Sequence, residues 1–415
     1  MAIMCLLIVL VGAGRGDHVS DLRMAVNSYE HDLLRWQVSH FMDKWVHLAL
    51  RPIRGAPTAD ERGEAIAEFF QVGEDLRRLR GDLERTLAVD GEVSTEAGEV
   101  QAAIDLLELR REALQPVVLE ALQSGISQVV DDMGIIDHVG PVRWPPVNFT
   151  FVPNSLVLVR SPRDTIVRLD DFVLRPDMSL LQQVALEDEL EADGETAALV
   201  VGVGGMATYP AQVKPSESLH TTLFSAAHEW LHHWMFFRPL GKRWWDGGEL
   251  TVINETVADI AGEEVGDRAY ELLTGESVHR APWQPPSLRP HEEPRPGVFD
   301  FTREMRQTRV QLEAMLAADQ VAEAEAYLEA RREEFVAHGW NIRKLNTAWF
   351  AFFGTYASGP GSISPIEEQL RTLRADSASL QEFLERVSVI KRPGQLEEMS
   401  RSAGWLPLLA EARGA

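Results

Sequence analysis

From Ser216 to Arg238 the chain contains neither glycine nor proline. Its apolar residues there (Leu223, Phe224, Ala226, Ala227, Trp230, Leu231, Trp234) crowd around the sequence His228-Glu229-Trp230-Leu231-His232. An apolar run this long, bounded by Pro215 and Pro239, predicts a buried helix over about 216–238. Residues four apart on a helix share a face, with Cβ atoms ~5–6 Å apart. His228 and His232 can therefore reach one ion. Glu229 stands about 100° round the helix from His228, placed to touch a water on the metal rather than the metal itself. His233, one residue past a ligand, points away and is expected to pack or to face solvent.

A catalytic two-histidine zinc site needs a third protein ligand and an open fourth position for water. The stretch Asn254-Glu255-Thr256-Val257-Ala258-Asp259-Ile260-Ala261-Gly262 predicts a second helix, over about 252–273, with Glu255 and Asp259 on one face. Glu255 would complete a His2Glu set for one Zn2+. Asp259, one turn on, could accept the free ring N–H of a ligating histidine and so fix its tautomer and orientation. A lone His-Glu-x-x-His in a chain with 12 histidines can arise by chance; glutamate and aspartate in register are what set this one apart.

His-Glu-x-x-His followed at this separation by Asn-Glu-x-x-x-Asp resembles the gluzincin clan of zinc metallopeptidases, of which thermolysin is the best-known member. The resemblance covers about residues 195–275. It implies zinc on His228, His232 and Glu255, Glu229 as general base and then acid, and Asp259 as the partner of His228. It also implies that the strand before the zinc helix, at Gly202, Val203, Gly204, Gly205 and Met206, forms the edge that pairs with an extended peptide. Glycine lets another backbone approach closely, and strand addition needs no side-chain code. A tight turn into the helix is the other reading of the same glycines. Gluzincins take a transition-state donor, Tyr or His, from the chain after the glutamate helix. Tyr356 is the candidate here, with His291 and His338 behind it. Thermolysin's later histidine motif has no clear copy. Over its whole length the chain is also similar to an uncharacterised group of bacterial membrane-anchored proteins.

The formal net charge is −24 over 415 residues. Clustered Lys and Arg are needed to hold nucleic acid or anionic lipid, so this balance argues against both. Cys5 is the only cysteine, which excludes a disulfide framework and a cysteine metal site. Met1 to Gly14 is uncharged and apolar, shorter than the ~20 residues that span a bilayer and without a basic start. A membrane anchor with a late start codon, an atypical signal and a buried strand all fit it. Gly12-Ala13-Gly14-Arg15-Gly16 lacks the spacing of a dinucleotide site. We expect residues 1–16 to be an anchor or export segment, with N-terminal membrane association and the catalytic part outside the cytoplasm.

The expected fold is α+β and mostly helical, with a small β-sheet region packed on the two catalytic helices and helical regions at both ends. Region 17–140 reads as helical: one long helix from Asp17 to about Leu50, then an antiparallel hairpin over 59–135. Region 141–275 is the catalytic part. Its sheet over 141–212 includes β-rich runs at 147–152, 156–159, 165–167 and 197–205. Asn148-Phe149-Thr150 matches a glycosylation sequon but sits in a strand pattern. Trp244 and Trp245 belong to a cleft wall or to the core. Six prolines between 281 and 297 make 276–299 an extended linker. Region 300–415 is helical again, with a hairpin broken near Asp319 and a buried aromatic stretch from Lys344 to Tyr356.

These residues predict a zinc-dependent peptidase acting on peptide or protein. A membrane-tethered, non-catalytic zinc-binding scaffold is the alternative, although a structural zinc site is normally closed by four protein ligands and only three are found here. A third reading, in which the helical ends carry the function and no metal binds, predicts a metal-free protein.

Overall fold

The computed structural model describes residues 22, 25–40, 46, 57–90, 95–140, 142–152, 155–216, 218–281, 283, 299–356, 359 and 361–402. Met1 to Gly14 and His291 lie outside them. Among the described residues no helix is long and apolar enough to cross a membrane.

The fold is α+β and mostly helical. The expected single helix from Asp17 to Leu50 is broken in its described part. Around Tyr29 and Glu30 the backbone leaves the helix to pair with a strand edge: Glu30 bridges Leu174, His31 N–H donates to Val173 O and Arg175 N–H to Tyr29 O, both at 2.8 Å. Asp32 then caps a new helix, α1 (Leu33–His40), by accepting from Arg35 N. Periodicity could not show this, because apolar spacing survives a break that backbone pairing imposes. The predicted hairpin is present as α2 (Ala59–Asp90) and α3 (Thr95–Asp132).

After the two-stranded ribbon β1 (Asp137–Val139) and β2 (Val142–Trp144) come β3 (Phe149–Phe151), β4 (Ser155–Pro162) and β5 (Asp170–Leu174). The run at Thr165 to Val167 is not a strand. Ser161 Oγ donates to Thr165 O and accepts from Val167 N, folding this stretch into a loop before β5 begins. Helix α4 (Leu180–Glu191) leads to β6 (Thr196–Val203), β7 (Gly205–Met206) and β8 (Ala211–Val213). These strands make two small sheets, β5-β4-β6 and β3-β8-β7. β4 is apolar on both faces because both are covered. Leu156 and Leu158 face a cluster with Val26 and Leu186, whereas Val157 and Val159 face one with Phe335 and Phe350.

The helices that carry the histidine pair and Glu255 follow: α5 (Leu219–Phe236), capped by the Ser218 hydroxyl, and α6 (Glu249–Thr274), closed by left-handed Gly275. They are pressed together through glycines one turn apart. A Cβ on Gly262 would stand 3.2 Å from the His228 backbone, and one on Gly266 3.0 Å from that of Phe224. Then come α7 (Phe301–Ala317) and α8 (Val321–Ala337), separated where Asp319 takes φ 58°, and α9 (Thr347–Phe353), α10 (Ile366–Ala375), α11 (Leu380–Val387) and α12 (Gly394–Ser402). Both large cores draw on this last third of the chain. α10 to α12 share the core of α5 and α6, and α9 lies on the β4–β6 sheet.

Candidate metal centre

The close crossing of α5 and α6 brings His228, His232 and Glu255 to one point. His228 Nε2 and His232 Nε2 are 3.0 Å apart, and Glu255 Oε2 lies 3.2 Å from the first and 3.6 Å from the second. The other side of each ring meets an oxygen: His228 Nδ1 is 3.0 Å from Asp259 Oδ1, and His232 Nδ1 is 3.0 Å from Asn254 Oδ1. Neutral rings carrying their protons on Nδ1, toward Asn254 and Asp259, would turn both Nε2 lone pairs to the same point. Two lone pairs and a carboxylate oxygen would then converge in a buried place. Glu255 Oε2 receives no well-aligned hydrogen bond there, and the Asp259 contact too falls short of a linear one. Groups packed this closely are costly unless a proton, which the raised His228 would carry, or a metal cation is shared among them. His228, His232 and Glu255 could hold a metal ion.

Electrostatics follow from this burial. Desolvation would raise Glu255, but His232 and His228 outweigh it and hold the carboxyl ionised far below the usual range. Burial by itself would lower His228, yet contacts with Asp259 and Glu255 carry it well above the ordinary histidine value. Glu229 is raised by burial, opposed in part by the two imidazoles.

No family model, curated protein or solved structure matches this chain. The site is therefore read from its own geometry.

Beside the three donor atoms lies a cavity of about 300 Å³. His228, Glu229, His232 and Glu255 reach its wall, as do Tyr356 and Trp244. The Trp244 ring stands edge-on to His232 at 5.5 Å, so of the two readings of this loop the cleft wall is the one observed. Tyr356 is held protonated well above the usual tyrosine range by burial and by the nearby Glu255 and Glu229 carboxylates. His338 is elsewhere, stacked on Phe299 at 4.0 Å with Nδ1 on Glu334 O.

The stretch from Gly202 to Met206 divides. Gly202 and Val203 end β6, the edge of its sheet, and Gly205 and Met206 form β7, the edge of the other. Val203, Gly205 and Met206 line the cavity, whereas Gly202 and Gly204 are exposed and do not. Gly205 lies directly against Glu229: a Cβ there would meet Glu229 Oε1 at 2.3 Å. The strand thus sets where the carboxylate stands. His233 packs inward: its ring donates from Nε2 to Thr208 O at 2.7 Å, and burial lowers it to about 4. It ties α5 to the turn after β7.

Sequence reasoning gave no role to Asn254, Gly262, Gly266 or Arg168. The asparagine was legible as the neighbour of Glu255. The Gly262-x-x-x-Gly266 spacing was legible as a close-approach signal on a helix. Arg168 gave none, since it reaches the cavity only through the fold.

Proposed function

We propose that this chain is a gluzincin-type zinc-dependent peptidase. The observation that supports it most is the convergence of two imidazole Nε2 atoms and one carboxylate oxygen, each ring locked from behind by an oxygen. Tetrahedral zinc with ligands at about 2.0–2.1 Å requires ligand atoms about 3.3 Å apart. The separations of 3.0, 3.2 and 3.6 Å bracket that value.

A zinc ion at this point supplies Lewis acidity, lowering the pKa of a water toward ~7 and polarising a carbonyl. Glu229, raised by burial, takes the proton of the attacking water and returns it to the leaving amine, a contribution of order 10²–10⁴ in rate. Tyr356 keeps its proton and donates a hydrogen bond to the oxygen on which negative charge develops. Asp259 and Asn254 hold the two imidazoles in tautomer and direction. The open edge at Val203, Gly205 and Met206 pairs with the peptide backbone. The same reading keeps the catalytic part outside the cytoplasm, with residues 1–16 as its anchor or export segment. Cell fractionation that finds the full chain in the cytosol refutes that placement.

The deciding experiment measures bound metal by mass spectrometry and digests a peptide library with parent and Glu229→Gln protein. One zinc per chain in both, with cleavage by the parent alone, is expected. A protein that takes up no zinc, or a Glu229→Gln variant that cleaves at the parent's rate, refutes the reading.

A further inference from the structure

The cavity beside the candidate metal centre is mostly apolar, floored by Val157, Val173 and Val203 from the β5-β4-β6 sheet and closed by Phe352. Among its described lining residues Arg168 alone has a permanent positive charge. It stands in the loop before β5, a loop pinned by Leu169 N–H donating to Arg160 O at 3.0 Å. The Arg168 guanidinium carbon is 5.3 Å from the centre of the Phe352 ring, and Nε is held by Asp171 Oδ1 at 2.5 Å. Its side chain remains 23% exposed. Among the described residues no protein group accepts from Nη1 or Nη2.

That arrangement is specific in what it can bind. Asp171 fixes the direction of the guanidinium through one nitrogen and leaves the end with the two Nη atoms free. Two parallel N–H groups from one arginine match the two oxygens of a carboxylate, and charge-assisted pairs of this kind are the strong ones. Elsewhere the site offers anions no welcome. Glu229, Glu255 and Asp259 surround the donor atoms, and the chain as a whole is at −24. Apart from the metal position itself, Arg168 is the one fixed positive charge that a carboxylate meets among the described lining residues of this cavity. A cavity of about 300 Å³ is at the small end for ligand sites and holds a side chain or two rather than a long chain.

We propose that Arg168 holds a carboxylate of the substrate, so that the site takes short peptides bearing a carboxylate near the scissile bond. The carboxylate comes from a free C-terminus or from an Asp or Glu side chain. This rests on the peptidase reading for its chemistry, but its test does not need turnover.

The test uses the full, zinc-loaded chain carrying Glu229→Gln, so that no peptide is consumed, and calorimetry as the readout. Three sets of N-acetylated tripeptides are compared: free C-terminal acids, their carboxamides, and carboxamides with an internal Glu or Gln. We expect acids to bind at least tenfold tighter than their carboxamides, and Arg168→Met to reduce that ratio to under twofold. A Glu-over-Gln preference within the amidated set identifies a side-chain carboxylate as the source instead. Arg168→Met leaves Asp171 without its partner, so Arg168→Met/Asp171→Asn is measured beside it. Loss of the preference in this double variant, with the parent's melting temperature, has the same meaning. Equal binding of all three sets, no binding of any, or a preference that survives both variants overturns the proposal. Discrimination that depends on Arg168, without cleavage by the parent chain, overturns the peptidase reading and leaves the carboxylate site standing.

Discussion

Replacing Gly205 with alanine tests the arrangement at one atom. The added Cβ would stand 2.3 Å from Glu229 Oε1 and 2.8 Å from both Cδ and Cγ. Real Cβ contacts essentially never fall below 3.0 Å, so the Glu229 side chain must turn at its base rather than bend at its tip. A displacement of about 1 Å in a catalytic group can cost about 10²-fold in rate, or about 2.7 kcal/mol. Gly205 touches none of the three donor atoms, and its φ lies outside the left-handed region, so alanine is not strained in itself. Zinc content should therefore stay at one per chain. Gly202→Ala and Gly204→Ala are internal controls, because a Cβ at either meets nothing within 4 Å. The assay is kcat/KM on a quenched fluorogenic peptide found by library digestion, with metal analysis of each variant. A Gly205→Ala protein within twofold of the parent, with zinc in place, refutes the claim that this strand positions the general base.

Three further outcomes are expected. Tyr356→Phe should retain zinc and lose 10²–10³ in kcat with little change in KM, as for loss of one oxyanion donor; an unchanged kcat removes Tyr356 from the reaction. Asp259→Asn should keep a full-length folded chain but weaken zinc affinity by 10–100-fold, read by competition with a chelator; unchanged affinity means His228 needs no partner. His233, whose value falls to about 4 in the fold against 6.5 unfolded, binds its proton more readily once unfolded. Stability should thus be full above pH ~6.5 and fall by up to about 3 kcal/mol as the pH drops to ~4. Denaturant titrations of parent and His233→Gln at pH 7 and 4.5 check this, and equal pH slopes in the two proteins contradict it.

The group that could hold a metal ion was legible because it rests on local periodicity. His228 and His232 are four apart on one helix, Glu255 and Asp259 four apart on another, and a helix fixes such faces without help from the rest of the fold. The hairpin of α2 and α3 was legible for the same reason. The break at Tyr29 and the loop at Thr165 were not, since each is set by hydrogen bonds to residues distant in sequence. The sequence by itself determined which atoms are available to a cation and roughly which helices bear them. Only tertiary packing decided that Gly262 lets those helices approach, that Gly205 abuts Glu229, and that Tyr356, Trp244 and Arg168 line one cavity. The physical reason is range: helical spacing is a property of neighbouring residues, whereas a cavity wall is assembled from segments whose meeting no local pattern encodes.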